Sequence, residues 1–181
     1  MNLANKLTLF RIFLVPVFMV FLLVDTIPNG KIISAFIFII AALTDMLDGH
    51  IARSRNLITK FGKFMDPLAD KLLVSSALIS LTELGIIPAW IVIVIIAREF
   101  AITGLRTLGA SEGVTIAASK WGKVKTITQL IAITSILLEN FPFNYLNFPF
   151  DKIMLYLAVI FTIVSGVDYI YKNINLLKIQ N

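Results

Sequence analysis

Four aspartates in one stretch of the chain have the residue type and spacing for metal-dependent chemistry: Asp45, Asp48, Asp66 and Asp70. The first two are three positions apart and the last two are four apart, so each pair shares one face if its segment is helical. Clustered carboxylates repel one another at low dielectric unless cations balance their charge. Ligands that are all oxygen suit Mg²⁺ or Mn²⁺ rather than zinc, and four negative charges match two divalent ions. The pattern predicts a two-metal carboxylate site, whereas the simpler interpretation is that each acid lies at a membrane interface.

Small residues and an arginine accompany these acids. Gly49, Ala52 and Gly62 remove side-chain bulk, which lets a neighbouring helix or a ligand approach the backbone closely. Arg53 adds a planar guanidinium, which is suited to binding a phosphate. His50, the only histidine, lies among them and is assigned no role, because one histidine without a partner makes neither a zinc site nor a general base.

A second set of basic residues follows later in the chain. Arg98 and Arg106 are eight positions apart and fall on roughly one helix face. Basic side chains beside a carboxylate cavity indicate a site for a second anion, such as the phosphate of an acceptor. The simpler interpretation, that these charges only mark one side of a membrane, stays open for Lys123 and Lys125. We expect Glu99 to pair with Arg98 or another basic residue. The candidate contacts to an acceptor phosphate are Lys60, Arg98, Arg106, Ser119, Lys120 and Lys125.

The composition decides what kind of protein must position these residues. Of the 181 residues, 58% are hydrophobic and 15% are charged, whereas a soluble domain carries about a quarter of its residues charged. The chain therefore has too little polar surface to face water on every side, which predicts an integral membrane protein. Cysteine is absent, which excludes disulfides and thiolate chemistry. The net charge of +5 does not form the aromatic-rich basic face of a nucleic-acid-binding domain.

Apolar segments and turn residues predict an all-α protein with six transmembrane helices in one domain that spans residues 1–181. The expected helices cover residues 6–24, 32–54, 66–84, 88–108, 121–138 and 152–172, separated by proline- and glycine-containing turns. Pro67 is expected near the start of the third helix, where proline is tolerated, although it could instead mark a kink.

The distribution of basic residues predicts the topology. With six spans, all of the sixteen basic residues except Lys31 and Lys152 lie on one side, together with both termini. Basic residues accumulate on the cytosolic side of membrane proteins. We therefore expect cytosolic termini, and a site at the cytosolic ends of the helices.

The aspartate stretch resembles the signature of the CDP-alcohol phosphotransferase family. Asp45-x-x-Asp48-Gly49-x-x-Ala52-Arg53 is followed, after eight residues, by Gly62-x-x-x-Asp66-x-x-x-Asp70. Every signature residue is present with the family spacing, and the six-helix layout extends the resemblance over essentially the whole chain.

The resemblance implies a role for each signature residue. The four aspartates would hold two divalent cations, Mg²⁺ or Mn²⁺, that bridge a CDP diphosphate, and Asp70 would also be the general base on the acceptor hydroxyl. The activated oxygen would attack the β-phosphorus and expel CMP. Residues of the signature and of the first helix would bind CDP: Asn5, Thr8, Arg11, Gly49, Ala52 and Arg53. The family also implies a homodimer and a location in the bacterial cell membrane, with the site facing the cytosol.

The segments 97–106 and 119–126 resemble the phosphatidylglycerophosphate synthase branch of this family. That branch uses CDP-diacylglycerol and glycerol 3-phosphate, whose phosphate would account for the basic pocket. Other branches accept inositol, inositol phosphate, serine or another phospholipid, and these acceptors stay open. From other classes, an ion-coupled transporter and a membrane scaffold are the alternatives. Transporter sites tend toward the bilayer midplane and often lie in inverted repeats, whereas these acids cluster at one face.

Overall fold

The computed structural model describes residues 3–54, 60–111, 113 and 119–174; among these, the side chains of residues 3, 4, 45–54, 60–64 and 66 lie outside the description. Within these bounds the chain is all-α, as the sequence predicts, with one short 3₁₀ segment, Phe143–Leu146. The helices are α1 (Leu3–Leu23), α2 (Gly30–Ser54), α3 (Lys60–Glu83), α4 (Ala89–Ser111), α5 (Lys120–Leu137) and α6 (Phe150–Lys172). Each corresponds to an expected helix.

The third helix is the one whose start differs most from the expectation. It begins at Lys60 rather than at residue 66, so Pro67 lies inside α3 and not near its start. A proline inside a helix leaves one backbone carbonyl without its usual donor. Packing against α1 and α2 stabilises the helical backbone beyond what local preference predicts, because tertiary contacts supply most of a helix's stability. The prediction of a helix start next to Pro67 was therefore wrong.

Two groups of helices share one apolar core. α1 packs against α2 and α3, while α6 packs against α5 and α4; α2 and α3 also contact α5, which joins the groups. Buried residues from all six helices form the centre, and those with the largest side chains include Phe18, Phe38, Leu78, Ile91 and Ile133. The rings of Phe18 and Phe38 lie 6.0 Å apart between α1 and α2. This core fixes the helices around the polar end of the bundle.

The outer faces of the helices are apolar as well. Exposed side chains include Phe13 on α1, Phe36 on α2, Ile93 on α4 and Val167 on α6, each more than half exposed. Within the described part of the chain, two helices, Asn5–Leu23 and Phe150–Lys172, are long and apolar enough to cross a membrane by length and composition. Large apolar residues on the outside of a helical bundle are suited to lipid contact rather than water. The outer surface therefore agrees with membrane association.

The turn between α1 and α2 marks one end of the bundle. Gly30 begins α2 so close to α1 that a Cβ atom there would lie 2.3 Å from the Phe21 carbonyl oxygen. Lys31 Nζ, in the first turn of α2, donates to Glu139 Oε1 at 2.9 Å, just beyond the end of α5. One of the two basic residues expected on the sparsely charged side is therefore neutralised at this end.

Candidate active site

A cavity of about 440 Å³ occupies the other end of the bundle. Its walls come from α3, α4, α5 and the last turns of α6, and Ala42 of α2 adds one further lining residue. Two carboxylates, Asp70 and Glu99, line it. The cationic lining residues among the described side chains are Lys71, Arg98, Arg106, Lys123 and Lys125. The described lining therefore carries an excess of positive charge.

Arg98 lies between two glycines on neighbouring helices. A Cβ atom on Gly166 of α6 would lie 3.2 Å from Arg98 Cγ, and one on Gly122 of α5 would lie 3.9 Å from Arg98 Nη2. The side chain is only 13% exposed. Because glycine has no side chain, Gly122 on α5 and Gly166 on α6 leave space for the guanidinium to reach the cavity. Ser119 lines the same wall, and its Oγ accepts from Gly122 N at 3.0 Å as the N-cap of α5.

Glu99 joins Arg98 to Lys125. Arg98 Nη1 donates to Glu99 Oε1 at 3.4 Å, and Lys125 Nζ donates to the same oxygen. The side chain of Lys125 is 6% exposed and that of Glu99 is 17% exposed. A buried ammonium needs such a partner, because an unpaired charge is costly to bury. The expectation that Glu99 pairs with Arg98 or another basic residue is confirmed, and it pairs with two.

A second, smaller cavity of about 20 Å³ lies beside this pair. Asp70, Glu99, Lys125 and Gln129 line it, and no arginine is among its described lining residues. Asp70, Glu99 and Lys125 line both spaces, as do Lys71 and Thr126, whereas Arg98 and Arg106 line only the larger one.

Arg106 is held by an aromatic residue of α6. Arg106 Nε donates to Tyr169 Oη at 3.1 Å, and the guanidinium carbon lies 5.5 Å from the centre of the Tyr169 ring. Tyr169 is buried whereas Arg106 is exposed to the cavity and the solvent. The tyrosine therefore fixes the orientation of a cation that would otherwise move freely.

The aspartates suit a divalent metal by their donor chemistry and their helices. Asp70 lines the cavity, and Asp66 precedes it by one turn of α3. Asp45 and Asp48 belong to the second half of α2. The helix α2 packs against α3. All four offer carboxylate oxygens, the ligands that Mg²⁺ and Mn²⁺ prefer. Among the described side chains no three acidic or histidine residues come together, so such a site needs Asp45, Asp48 and Asp66, whose side chains lie outside the description.

Asn5, Thr8 and Arg11 form a polar stripe on α1 that faces inward. Asn5 is 6% exposed, and Thr8 and Arg11 are completely buried, so the three-residue spacing puts all three on the inner face. None of the three is without a partner. A fully buried arginine on an otherwise apolar helix is costly unless it binds an anion or an acid. This burial is hard to account for by an ordinary interfacial helix face.

Four of the six candidate acceptor-phosphate residues line the cavity: Arg98, Arg106, Ser119 and Lys125. Lys120 begins α5 and is exposed, but it is not among the lining residues. Lys60 begins α3, and its side chain lies outside the described part of the chain, as do those of Gly49, Ala52 and Arg53 on α2.

Sequence reasoning missed Tyr169, Gly166 and Lys71. Tyr169 stands among the apolar and aromatic residues of α6, where nothing in the sequence distinguishes it from lipid-facing residues. Gly166 gave no signal either, because its role depends on the approach of α4. Lys71 follows directly after Asp70, and this position next to the aspartate stretch is a sequence signal that could have placed Lys71 at the site.

Comparison with known proteins gives consistent matches over nearly the whole chain. The profile of the CDP-alcohol phosphatidyltransferase family matches residues 1–164. A Bacillus subtilis (strain 168) protein named CDP-diacylglycerol--glycerol-3-phosphate 3-phosphatidyltransferase is 50% identical over 191 aligned positions, covering 99% of each chain. Proteins of the same name from Rickettsia bellii and Haemophilus influenzae are 37% and 39% identical; each match covers 93% of this chain, and the shares of the relatives are 93% and 91%.

Proposed function

The chain belongs to the CDP-alcohol phosphatidyltransferase family, and from this premise we propose that it transfers a phosphatidyl group from CDP-diacylglycerol to glycerol 3-phosphate. The products are CMP and phosphatidylglycerophosphate, so the protein acts in phospholipid biosynthesis. The single observation in the structure that carries the choice of acceptor is the cavity that combines Asp70 with buried and half-buried cations. The names of the similar proteins support the same acceptor.

The charge of the cavity favours a phosphorylated acceptor. Five cationic side chains and two carboxylates line its described part. A phosphate monoester carries about −1.5 to −2 charge near neutral pH. Arg98 and Arg106 supply forked donors for its oxygens, and Lys123 adds a point charge. An acceptor without a phosphate, such as free serine or inositol, would leave this positive charge without a counterion.

Asp70 is proposed as the general base. Its carboxylate takes the proton of the acceptor's terminal hydroxyl as that oxygen forms a bond to the β-phosphorus of the donor. The bond from this phosphorus to the CMP oxygen breaks, and the electron pair leaves with CMP. The cations around Arg98 hold the acceptor so that its hydroxyl meets Asp70, which makes the attack effectively intramolecular.

The four aspartates are proposed to hold two divalent cations, Mg²⁺ or Mn²⁺. When bound, these ions supply Lewis-acid stabilisation of the charge on the attacking and leaving oxygens. The residues proposed to bind CDP are Asn5, Thr8, Arg11, Gly49, Ala52 and Arg53. The burial of the α1 stripe at the polar end of the bundle supports its part in this set.

The proposed site also suits the solubility of both substrates. CDP-diacylglycerol keeps its acyl chains in the lipid, while its nucleotide and glycerol 3-phosphate come from the aqueous phase. A cavity at one end of an apolar-faced bundle is accessible from both. We propose six membrane spans with the termini and the site on the cytosolic side, and a homodimer as the working assembly.

An acceptor panel tests the proposal. Purified protein with CDP-diacylglycerol and Mg²⁺ or Mn²⁺ should release CMP when glycerol 3-phosphate is added, and chelation of the metal should stop the release. Release with inositol phosphate or serine but not with glycerol 3-phosphate would contradict the acceptor. No metal-dependent release with any acceptor would contradict the enzyme.

Asp70→Asn is the matched variant for this assay. It keeps the shape of the side chain but removes the base, so turnover should be lost while CDP-diacylglycerol still binds measurably. A rate close to that of the wild-type protein would rule out Asp70 as the base.

A further inference from the structure

Glu99 lies between the two functional ends of the cavity. Its carboxylate contacts Arg98 on one side and the deeply buried Lys125 on the other. It lines the large cavity with the arginines and also the smaller cavity with Asp70, where no described arginine is present. These contacts place Glu99 between Arg98 and Lys125, and Asp70 lines the smaller cavity with Glu99 and Lys125 but without the arginines.

Glycerol 3-phosphate has a matching order of groups. Its phosphate is on C3, the hydroxyl that reacts is on C1, and a second hydroxyl on C2 lies between them. If the phosphate binds at Arg98 and Arg106 and the C1 hydroxyl meets Asp70, the C2 hydroxyl faces the middle of the site. The side chains there are Glu99 and Lys125.

The contacts that Glu99 makes with the described residues leave its second side-chain oxygen for this hydroxyl. Both of its side-chain contacts within the described residues use Oε1. An ionised carboxylate has about four acceptor positions on its two oxygens. The contacts with Arg98 and Lys125 therefore do not use Glu99 Oε2. An ionised carboxylate can only accept hydrogen bonds, so this oxygen suits a hydroxyl group as the donor.

We propose that Glu99 is a specificity-determining residue that accepts a hydrogen bond from the C2 hydroxyl of the acceptor, with Lys125 holding its carboxylate in place. This inference rests on the proposed function. It separates the residues of the cavity into three roles: Arg98 and Arg106 bind the phosphate, Glu99 selects the central hydroxyl, and Asp70 activates the terminal one.

The test compares two acceptors in the same protein preparation. One is glycerol 3-phosphate, and the other is 3-hydroxypropyl phosphate, which lacks only the C2 hydroxyl. In the wild-type protein, kcat/KM for the analogue should be about ten- to a hundredfold lower, as expected for a hydrogen bond to a charged group. In Glu99→Ala this ratio should fall to about one. The ratio does not depend on how much of a variant folds, because both rates come from the same sample.

A matched control distinguishes this role from a structural one. Arg106→Lys changes a phosphate contact, so it should weaken the two acceptors equally and keep the wild-type ratio. A ratio near one in the wild-type protein, or an unchanged ratio in Glu99→Ala, overturns the inference while leaving CMP release with glycerol 3-phosphate intact. If the wild-type protein releases no CMP with glycerol 3-phosphate, the proposed function itself fails.

A binding measurement covers the case in which Glu99→Ala has no measurable turnover. Calorimetric titration of the full-length protein with each acceptor, in the presence of Mg²⁺, gives the same ratio from dissociation constants. Equal affinities in Glu99→Ala and unequal ones in the wild-type protein support the inference. Unequal affinities in both overturn it. Glu99→Gln, which keeps the size of the side chain and an acceptor oxygen, should give an intermediate ratio.

Discussion

Tyr169 holds Arg106, one of the residues that we propose to bind the acceptor phosphate. Its hydroxyl accepts from Arg106 Nε at 3.1 Å, and its ring lies under the guanidinium. Nε therefore points toward α6, and the terminal nitrogens stay available for an anion. A flexible arginine that is already ordered loses less conformational entropy when it binds a phosphate. We therefore expect the affinity for the acceptor to depend on Tyr169, a residue that we do not expect to contact the acceptor.

Tyr169→Phe should raise the KM for glycerol 3-phosphate about three- to tenfold and change kcat less, because it removes one hydrogen bond and keeps the ring. Steady-state kinetics at saturating CDP-diacylglycerol measure this. Tyr171→Phe is the control, since Tyr171 belongs to the same helix and is 79% exposed. Equal effects of the two substitutions would contradict a specific role for Tyr169.

The approach of α4, α5 and α6 gives the cavity its depth. α5 and α6 pack along each other, and Gln129 Nε2 donates to Thr162 Oγ1 at 3.0 Å between them. Arg98 is in the middle of α4, yet it is inside the cavity because Gly122 and Gly166 leave its path open. The site therefore extends inward from the end of the bundle to the middle of α4.

Gly166→Ala should disturb this path. The new Cβ would lie 3.2 Å from Arg98 Cγ, so the arginine stem must move by a few tenths of an ångström. We expect a severalfold higher KM for glycerol 3-phosphate and little change in the KM for CDP-diacylglycerol. Gly104→Ala on α4 is the matched control, because nothing lies within 4 Å of its added Cβ. If both variants behave like the wild-type protein, the close approach at Gly166 does not matter for binding.

In the whole molecule, different charged groups lie at the two ends of the helical bundle. The end with the α1–α2 turn carries the Lys31–Glu139 pair, and the opposite end carries the cavity with its excess of cations. Between them, apolar side chains cover the outside of the bundle. Such a molecule is suited to a membrane with the cavity on the more basic side, and we propose that this is the cytosolic side because basic residues accumulate there in membrane proteins.

Labelling of single cysteines tests this orientation, and the chain is convenient for it because it contains no cysteine. Thr26→Cys lies in the α1–α2 turn and Ser111→Cys at the end of α4, and both positions are exposed. A membrane-impermeant maleimide should label Thr26→Cys in intact cells but label Ser111→Cys only after permeabilisation. The reverse pattern would contradict the proposed orientation.

Local sequence signals predicted the helices, and the aspartate stretch predicted the chemistry that we propose for the site. Apolar segments of limited length separated by Pro28 and Gly85 define where helices end, since these signals are local. The spacing of the aspartates and of Arg98 and Arg106 is local as well, because residues on one helix have fixed relative positions. The start of α3 was misplaced, because it depends on packing rather than on nearby residues.

Which side chains of different helices meet depends on the packing of those helices. Glu99 pairs with a lysine 26 positions away, and Arg106 contacts a tyrosine 63 positions away. Neither distance along the chain carries information about these contacts, because they depend on how α4, α5 and α6 cross. The aspartates thus predict a chemistry from the sequence, whereas the shape of the cavity that we propose for the acceptor is a property of the packed helices.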